Sequence, residues 1–177
     1  MEGQFRPVIR QLVADALAAP VPAFPRRDVY VPGIKGKALA VVGMRRSGKT
    51  TFLWQCLADR LAAGVPREAL VYVSFEDERL IGMPAADLQW MVEEYFTLHP
   101  EHRGAGPVTF LFDEIQMVPG WETFVRRLID TERVDIFLSG SSARLLSREV
   151  ATSMRGRGLE VLVHPFSFRE YLRHRDA

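Results

Sequence analysis

The stretch from Gly43 to Thr50 reads Gly-Met-Arg-Arg-Ser-Gly-Lys-Thr, which matches the phosphate-binding loop pattern G-x-x-x-x-G-K-[ST]. Glycines let the backbone of such a loop curl until successive N–H groups point at one phosphate. A helix that starts behind the loop adds the partial positive charge of its N-terminus. Lys49 would bridge the terminal phosphates of a nucleotide, and the Thr50 hydroxyl would ligate magnesium.

The residues around the loop favour this interpretation over a glycine turn with a solvated lysine. An apolar run at 38–42 precedes the loop, and helical periodicity over 51–61 follows it. Strand, loop and helix in this order are the context that a phosphate loop requires. The positions that we expect to bind the phosphates on these grounds are Gly43, Ser47, Gly48, Lys49, Thr50 and Thr51.

A second candidate site is Asp113-Glu114, which follows an apolar run at 107–112. Downstream of a phosphate loop, an acid at the end of a strand organises magnesium, so Asp113 would hold the ion together with Thr50. Glu114 has no need to touch the metal and is the candidate base for an attacking water. The alternative is that Glu114 caps a turn or pairs with an arginine.

Two further groups of polar side chains are candidates. Ser139 or Ser141 could polarise the attacking water or the terminal phosphate, or could simply cap a helix predicted over 142–150. His99 and His102 stand three residues apart, but a metal there would need more ligands than the sequence shows. For the histidines we therefore expect a solvated loop.

The elements that must position these residues alternate between strand and helix, which predicts an α/β fold with a five-stranded, mainly parallel sheet covered on both faces. Ligands of such sheets bind at the carboxyl ends of the strands, where the phosphate loop, Glu76-Asp77, Asp113-Glu114 and the 139–142 segment all stand. The predicted strands are 37–42, 69–75, 107–112, 134–138 and 159–163. The predicted helices are 4–19, 51–61, 85–98, 121–129, 142–150 and one that starts at 168.

The N-terminal region ends in Pro20, Pro22 and Pro25, which predict a stiff connector after the first helix. That helix could pack on the edge of the domain or dock a partner. The Arg26-Arg27-Asp28 segment could reach the nucleotide or lie in solvent, and the sequence leaves both open.

Composition narrows the class of protein. The chain has 177 residues, 47% of them hydrophobic, and a formal net charge of +1, which argues against a strong general attraction to nucleic acid. The one cysteine, Cys56, excludes an internal disulfide framework and fits a reducing compartment, with packing as its expected role. No apolar run approaches the roughly eighteen residues that span a bilayer, and the first residues lack a signal pattern. We therefore expect a cytoplasmic protein without a membrane partner.

Six motifs occur in a fixed order: GMRRSGKT at 43–50, YVSFEDERL at 72–80, FLFDEIQ at 110–116, FLSGSSARLLS at 137–147, RGRG at 155–158 and HPFSFREYL at 164–172. With them the chain resembles the AAA-type ATPase domain of a broad group of prokaryotic ATPases, over about 27–172. The resemblance implies a three-layer P-loop NTPase fold of the RecA/AAA type and ATP with magnesium. It implies Walker A roles for Lys49 and Thr50, and Walker B roles for Asp113 and Glu114. Adenine rather than guanine also agrees with the lack of an Asn-Lys-x-Asp segment.

The same resemblance implies a role in the site for two arginines near the C-terminus. Arg155 and Arg157 correspond to the family's Gly-Arg element and could reach the terminal phosphate, in cis or from a neighbouring subunit. A solvated basic loop is the alternative. Within the phosphate loop, Arg46 could touch phosphate, whereas Arg45 could face solvent or a partner.

In that family a C-terminal region of poorly defined role follows the ATPase domain. We therefore expect an N-terminal helix and connector over 1–26, and an ATPase core over 27–177 that is truncated before this region. Three functions stay open: an ATP-hydrolysing switch that acts on a protein partner or on the missing region, an ATP-binding interaction module with little turnover, and a small P-loop kinase whose acceptor site we do not find. No recognition motif supports nucleic acid as a partner. An oligomer is possible, since it would let an arginine act in trans on a neighbouring subunit.

Overall fold

The computed structural model describes residues 3–33, 36–140, 152, 154 and 156–175. Within them lie five α-helices and five strands. The helices are α1 (Arg6–Ala18), α2 (Lys49–Ala62), α3 (Gln89–Leu98), α4 (Trp121–Thr131) and α5 (Phe168–Arg175). The strands are β1 (Ala38–Val42), β2 (Leu70–Ser74), β3 (Val108–Asp113), β4 (Val134–Ser139) and β5 (Gly158–Leu162).

All five strands are parallel and follow the spatial order β2-β3-β4-β1-β5. This confirms the predicted α/β fold and its five-stranded sheet, which is parallel throughout rather than mainly. The strand that carries the phosphate loop, β1, lies between β4 and β5, and β4 separates it from β3. That order brings the loop, the end of β4 and the end of β3 side by side at one edge of the sheet.

Side chains that alternate along the strands build two cores, one on each face of the sheet. On β1, Leu39 and Val41 pack with α2, while Ala38, Ala40 and Val42 belong to the larger core under α1, α3 and α4. All five side chains are buried, as expected for a strand covered on both faces. The result is a three-layer arrangement with a rigid strand beneath the phosphate loop.

Helix α1 belongs to the larger core. Its Ile9, Val13 and Ala16 are buried there, which confirms that the helix packs on the domain. Arg67 donates hydrogen bonds to the carbonyls of Ala16 and Ala19 and so caps the end of the helix.

Two residues with chemically versatile side chains, Cys56 and Trp121, serve packing, and the sequence predicts this role for Cys56. Cys56 is buried in α2, and burial raises the pKa of its thiol to about 12, so the thiol stays protonated. Trp121 is also buried, at the start of α4, and is part of the larger core. Over the described ranges, no helix has the length and apolar character that crossing a membrane requires.

Candidate nucleotide-binding site

The phosphate loop leaves β1 at Gly43 and enters α2 at Lys49. A side chain has no room at Gly43, because a Cβ there would lie 2.3 Å from the carbonyl oxygen of Val163 and 2.6 Å from the Ser47 hydroxyl oxygen. Gly48 has a φ of 92°, a left-handed conformation that glycine adopts without strain. Both glycines therefore allow the backbone to curl tightly at the end of β1.

The side chain of Lys49 folds back over this loop. It is 5% exposed, and its Nζ donates hydrogen bonds to the carbonyl oxygens of Met44 at 3.0 Å and Gly43 at 3.3 Å. The amides of Lys49, Thr50 and Thr51 form the first turn of α2, where a helix offers N–H groups without intrahelical partners. A buried ammonium group and a helix N-terminus thus lie at the same place, and this combination is typical of an anion-binding site.

Other loop residues differ in exposure. The Ser47 hydroxyl is buried and has no hydrogen-bond partner among the described residues, whereas Thr50 and Arg46 are exposed. Arg46 has a φ of 63°, which is uncommon for a residue with a side chain. The predicted phosphate-binding positions therefore all lie on one continuous loop and helix turn.

Asp113 ends β3 and is 2% exposed. Its Oδ1 accepts a hydrogen bond from the Ser139 hydroxyl, and its Oδ2 accepts one from the Tyr72 hydroxyl at 2.7 Å. Burial, together with the adjacent Asp113 carboxylate, raises the pKa of Tyr72, so its hydroxyl stays a donor. Two neutral donors therefore hold a buried carboxylate at the strand end where magnesium was predicted.

Glu114 occupies the turn after β3 and has a φ of 55°. Its amide donates to the Ser139 hydroxyl at 3.3 Å, and its Oε2 accepts a hydrogen bond from Gln116 Nε2 at 2.5 Å. Among the described residues, this carboxylate therefore contacts an amide and not an arginine. A left-handed non-glycine residue costs roughly 1–3 kcal/mol, and such residues cluster at functional sites.

Ser139 joins the two acids. It ends β4, is fully buried, and lies beside Val41 of β1 in the parallel register. Its hydroxyl contacts both the Asp113 carboxylate and the Glu114 amide. Neighbouring strands lie about 4.8 Å apart, so the loop after β1 and the acids after β3 are about 10 Å apart across β4. Ser141 and the helix predicted over 142–150 lie outside the described residues.

A family model described as an AAA domain matches residues 35–172. The chain belongs to this AAA domain family. One similar protein, uncharacterized and from Methanocaldococcus jannaschii, is 37% identical over 150 residues, which cover 85% of this chain and 31% of that protein. Another, uncharacterized and from Haemophilus influenzae, is 36% identical over 138 residues, which cover 77% of this chain and 33% of that protein. The chain thus spans about a third of the length of these curated relatives.

Membership identifies the chain as a P-loop module of the nucleotide-binding, ATPase-like class. The described fold agrees with it, because the AAA domain has the all-parallel sheet and the strand–loop–helix unit that such a module needs. Both relatives are uncharacterized, so the similarity adds no activity.

Glu76 and Asp77 follow β2 and stand at the same edge of the AAA domain as the phosphate loop. Because β2 is the outermost strand, three strand spacings, about 14 Å, separate it from β1. Asp77 is engaged by Arg79, whose amide and guanidinium both donate to its carboxylate. The structure therefore does not bring this acidic pair to the loop.

The resemblance leaves open whether Arg157 acts in cis or in trans, and its place in the structure disfavours a role in cis. Arg157 precedes β5, and its carbonyl accepts a hydrogen bond from Ala38 at the start of β1. The phosphate loop leaves the other end of that five-residue strand, about 16 Å away. The Arg157 guanidinium instead pairs with Asp130 of α4 at 2.7 Å. Only a contribution in trans stays a proposal for Arg157, and Arg155 lies outside the described residues.

We expect Arg157→Ala to change nucleotide affinity and turnover of the dilute protein by no more than about twofold, the range of a surface substitution. Phosphate release measured over a range of protein concentrations tests this. Arg133→Ala is the matched control, since Arg133 lies at the same edge and donates to the carbonyl of Gly104. A loss of turnover that grows with protein concentration would show a trans role, and an equal loss at all concentrations would contradict the geometry.

The histidine pair lies in the loop before β3, at the edge of the sheet opposite to the phosphate loop. The structure adds Glu101, whose carboxylate is 3.1 Å from His99 Nδ1. The rings of His99 and His102 stack with a 12° interplanar angle and centroids 5.2 Å apart, and one nitrogen of each lies within 4.8 Å of the other and of a Glu101 oxygen. His102 Nδ1 is 2.6 Å from the hydroxyl of Tyr95. This cluster is thus held by ring stacking and hydrogen bonds.

Sequence reasoning left Arg27 undecided and did not single out Tyr72. Arg27 is 3% exposed and donates from Nη1 to the carbonyl of Ser47, at 2.7 Å, inside the phosphate loop. Tyr72 contacts Asp113, as described above. A hydroxyl inside an apolar strand, two residues before its end, was the available signal for Tyr72. For Arg27 the chain offers no local signal, because its partners lie far away in sequence.

Proposed function

We propose that this AAA domain binds ATP with magnesium, hydrolyses it, and passes its nucleotide state to a partner. One observation carries the proposal: the phosphate loop and the Asp113-Glu114 pair stand at the same ends of β1 and β3, on either side of β4, whose Ser139 hydroxyl contacts both acids. Groups that bind anions thus stand at the same edge of the sheet as one carboxylate that can bind a cation and a second that can accept a proton. Phosphoryl transfer to water requires these three functions.

The residues present fit magnesium. Asp113 offers a carboxylate and Thr50 a hydroxyl, both hard oxygen donors of the kind this ion prefers. The tight turn at Gly43 and the Ser47 hydroxyl, which has no partner in the part of the chain that the structure describes, suit a ligand that fills the loop. When bound, the ion would neutralise charge on the phosphates.

The side chains have separate tasks in the proposed reaction. Lys49 would exchange the carbonyls of Gly43 and Met44 for phosphate oxygens, because phosphate is the better partner of an ammonium group. Glu114 would accept the proton of the water whose oxygen bonds to the terminal phosphorus. The bond from that phosphorus to the bridging oxygen breaks, and ADP leaves with the electron pair. Ser139, through its contacts to both acids, would keep them in place.

A second candidate function is an ATP-binding module with little turnover. Both Asp113 oxygens are hydrogen-bonded within the protein, and Gln116 holds the Glu114 carboxylate. If these contacts persist with nucleotide bound, the two acids would not be free to bind magnesium or to accept a proton from water. A protein partner or another segment, such as the remaining two thirds of the relatives' length, would then have to release them.

The first experiment measures binding and turnover together. We expect a fluorescent ATP analogue to bind with magnesium, and phosphate release to require the ion and stop with chelator. The same assay with double-stranded DNA tests whether nucleic acid is the partner. Binding without phosphate release would favour the interaction module, and no binding in either condition would contradict both functions.

A further inference from the structure

We propose that Arg27 and Glu170 form a positioning pair that holds the phosphate loop from behind and couples it to helix α5. The inference rests on the proposed function, since it assigns the pair a role in nucleotide binding. Arg27 lies in the connector before β1, and Glu170 lies in α5, 143 positions later in the chain. Neither is among the residues that we expect to bind the phosphates.

Arg27 reaches the loop through one nitrogen of its guanidinium. Nη1 donates to the carbonyl of Ser47 at 2.7 Å and lies 2.8 Å from where a Cβ would stand at Gly48. The contact is thus made at the point where the loop turns into α2. A hydrogen bond there fixes the orientation of the Ser47–Gly48 peptide, which belongs to the anion-binding backbone.

The other nitrogens of the same guanidinium contact the C-terminal part of the chain. Nε donates to Glu170 at 2.9 Å, and Nη2 donates to the carbonyl of His164 at 2.5 Å. Its carbon lies 4.8 Å from the centre of the Phe166 ring. A planar arginine fork holds these directions fixed relative to one another, so a shift of α5 is transmitted to the loop.

Glu170 is equally well bound. Its carboxylate accepts hydrogen bonds from the amides of Asp28 and Ser167 in addition to that from Arg27, and Ser167 caps α5 in return. Burial alone would raise the pKa of Glu170, but these hydrogen bonds outweigh it and lower the pKa to about 2. The pair is therefore charged at neutral pH.

The connector is fixed to α2 as well. Gln55 accepts a hydrogen bond from the Arg27 amide at 2.7 Å and donates one to the Arg27 carbonyl at 3.0 Å. Because Gln55 holds the backbone of Arg27, the freedom left to this residue is in its side chain. When α5 is docked, Glu170 keeps the Arg27 side chain hydrogen-bonded to the carbonyl of Ser47. A displacement of α5 would release that hydrogen bond.

The test compares Arg27→Gln and Glu170→Gln with Arg173→Gln. Arg173 also ties α5 to the connector, through Asp28 and the carbonyl of Arg26, but it does not touch the loop. If loss of the pair leaves about a tenth of the molecules with a competent loop, the apparent Kd for the ATP analogue rises about tenfold. We expect this rise in both variants of the pair and in their double variant, and an unchanged Kd in Arg173→Gln.

Coupling between two sites is reciprocal, which supplies a readout that a merely structural pair would not change. The ATP analogue should slow amide hydrogen exchange in α5 of the wild type and leave it unaffected in the Arg27 variant. Should Arg27→Gln fail to fold, Arg27→Lys keeps the charge beside Glu170 but lacks the fork, and the same loss of coupling is expected.

The outcomes separate the two proposals. A wild type that binds no ATP analogue overturns the proposed function and, with it, the positioning pair. A wild type that binds the analogue, with the same Kd and the same slowing of exchange in α5 in every variant, overturns the pair alone.

Discussion

Replacing Glu114 with glutamine is expected to leave ATP bound and to slow phosphate release by about a hundredfold or more. A positioned general base contributes about 10²–10⁴ to a rate, and an amide does not accept the proton of water. Glutamine has the same shape, so it still accepts the hydrogen bond from Gln116, and the backbone contact to Ser139 is untouched. The fold and the phosphate loop should therefore be unaffected.

Single-turnover phosphate release and titration with the fluorescent analogue together measure this effect. Glu76→Gln is the matched control, because Glu76 follows β2 as Glu114 follows β3, but lies on the outermost strand. We expect wild-type rates in that control. Wild-type turnover in Glu114→Gln would remove Glu114 from the proposed reaction and leave another group to be found as the base.

Replacing Lys49 with alanine is expected to weaken ATP binding by about a hundredfold or more. Hydrogen bonds to charged groups contribute about 1.5–3 kcal/mol each, and about 1.4 kcal/mol corresponds to a tenfold change in Kd. Lys49 holds two loop carbonyls in the structure and would hold two phosphate groups in the complex. Both interactions with the nucleotide are lost in the variant.

Lys37→Ala is the control for this variant. Lys37 immediately precedes β1, whereas Lys49 follows the loop at the strand's other end, so the same substitution is made far from the phosphates. We expect the control to bind the analogue as the wild type does. Thermal unfolding without nucleotide should give similar midpoints for both variants, and unchanged affinity in Lys49→Ala would argue against the assigned anion site.

Much of the fold could be predicted because each strand carries its own signal. Apolar runs bounded by glycine, proline or acids placed every strand end within one residue of its observed position. Local patterns do not determine which strands become neighbours, since that depends on packing between distant segments. Strand order is the reason that Glu76 lies far from the loop although it follows a parallel strand, at the same edge of the sheet as Asp113.

The candidate site likewise contains some residues that could be predicted from the sequence and others that could not. Lys49 and Asp113 could be recognised from residue type and context. Whether Arg157 acts in cis or in trans could not be predicted, because glycines beside an arginine do not indicate which end of the sheet carries it. The contacts of Arg27 escaped prediction because Ser47, His164 and Glu170 meet it only after the sheet has formed.

The position of β1 within the sheet also has a consequence for the synthesis of the chain. Its two neighbours, β4 and β5, are encoded roughly a hundred residues later, so β1 has no hydrogen-bonding strand beside it until most of the chain has emerged. During that time the five apolar side chains of β1 are not yet buried between the layers of the fold. Competence to bind a nucleotide is therefore acquired late in folding, although the loop that defines it lies in the first third of the sequence.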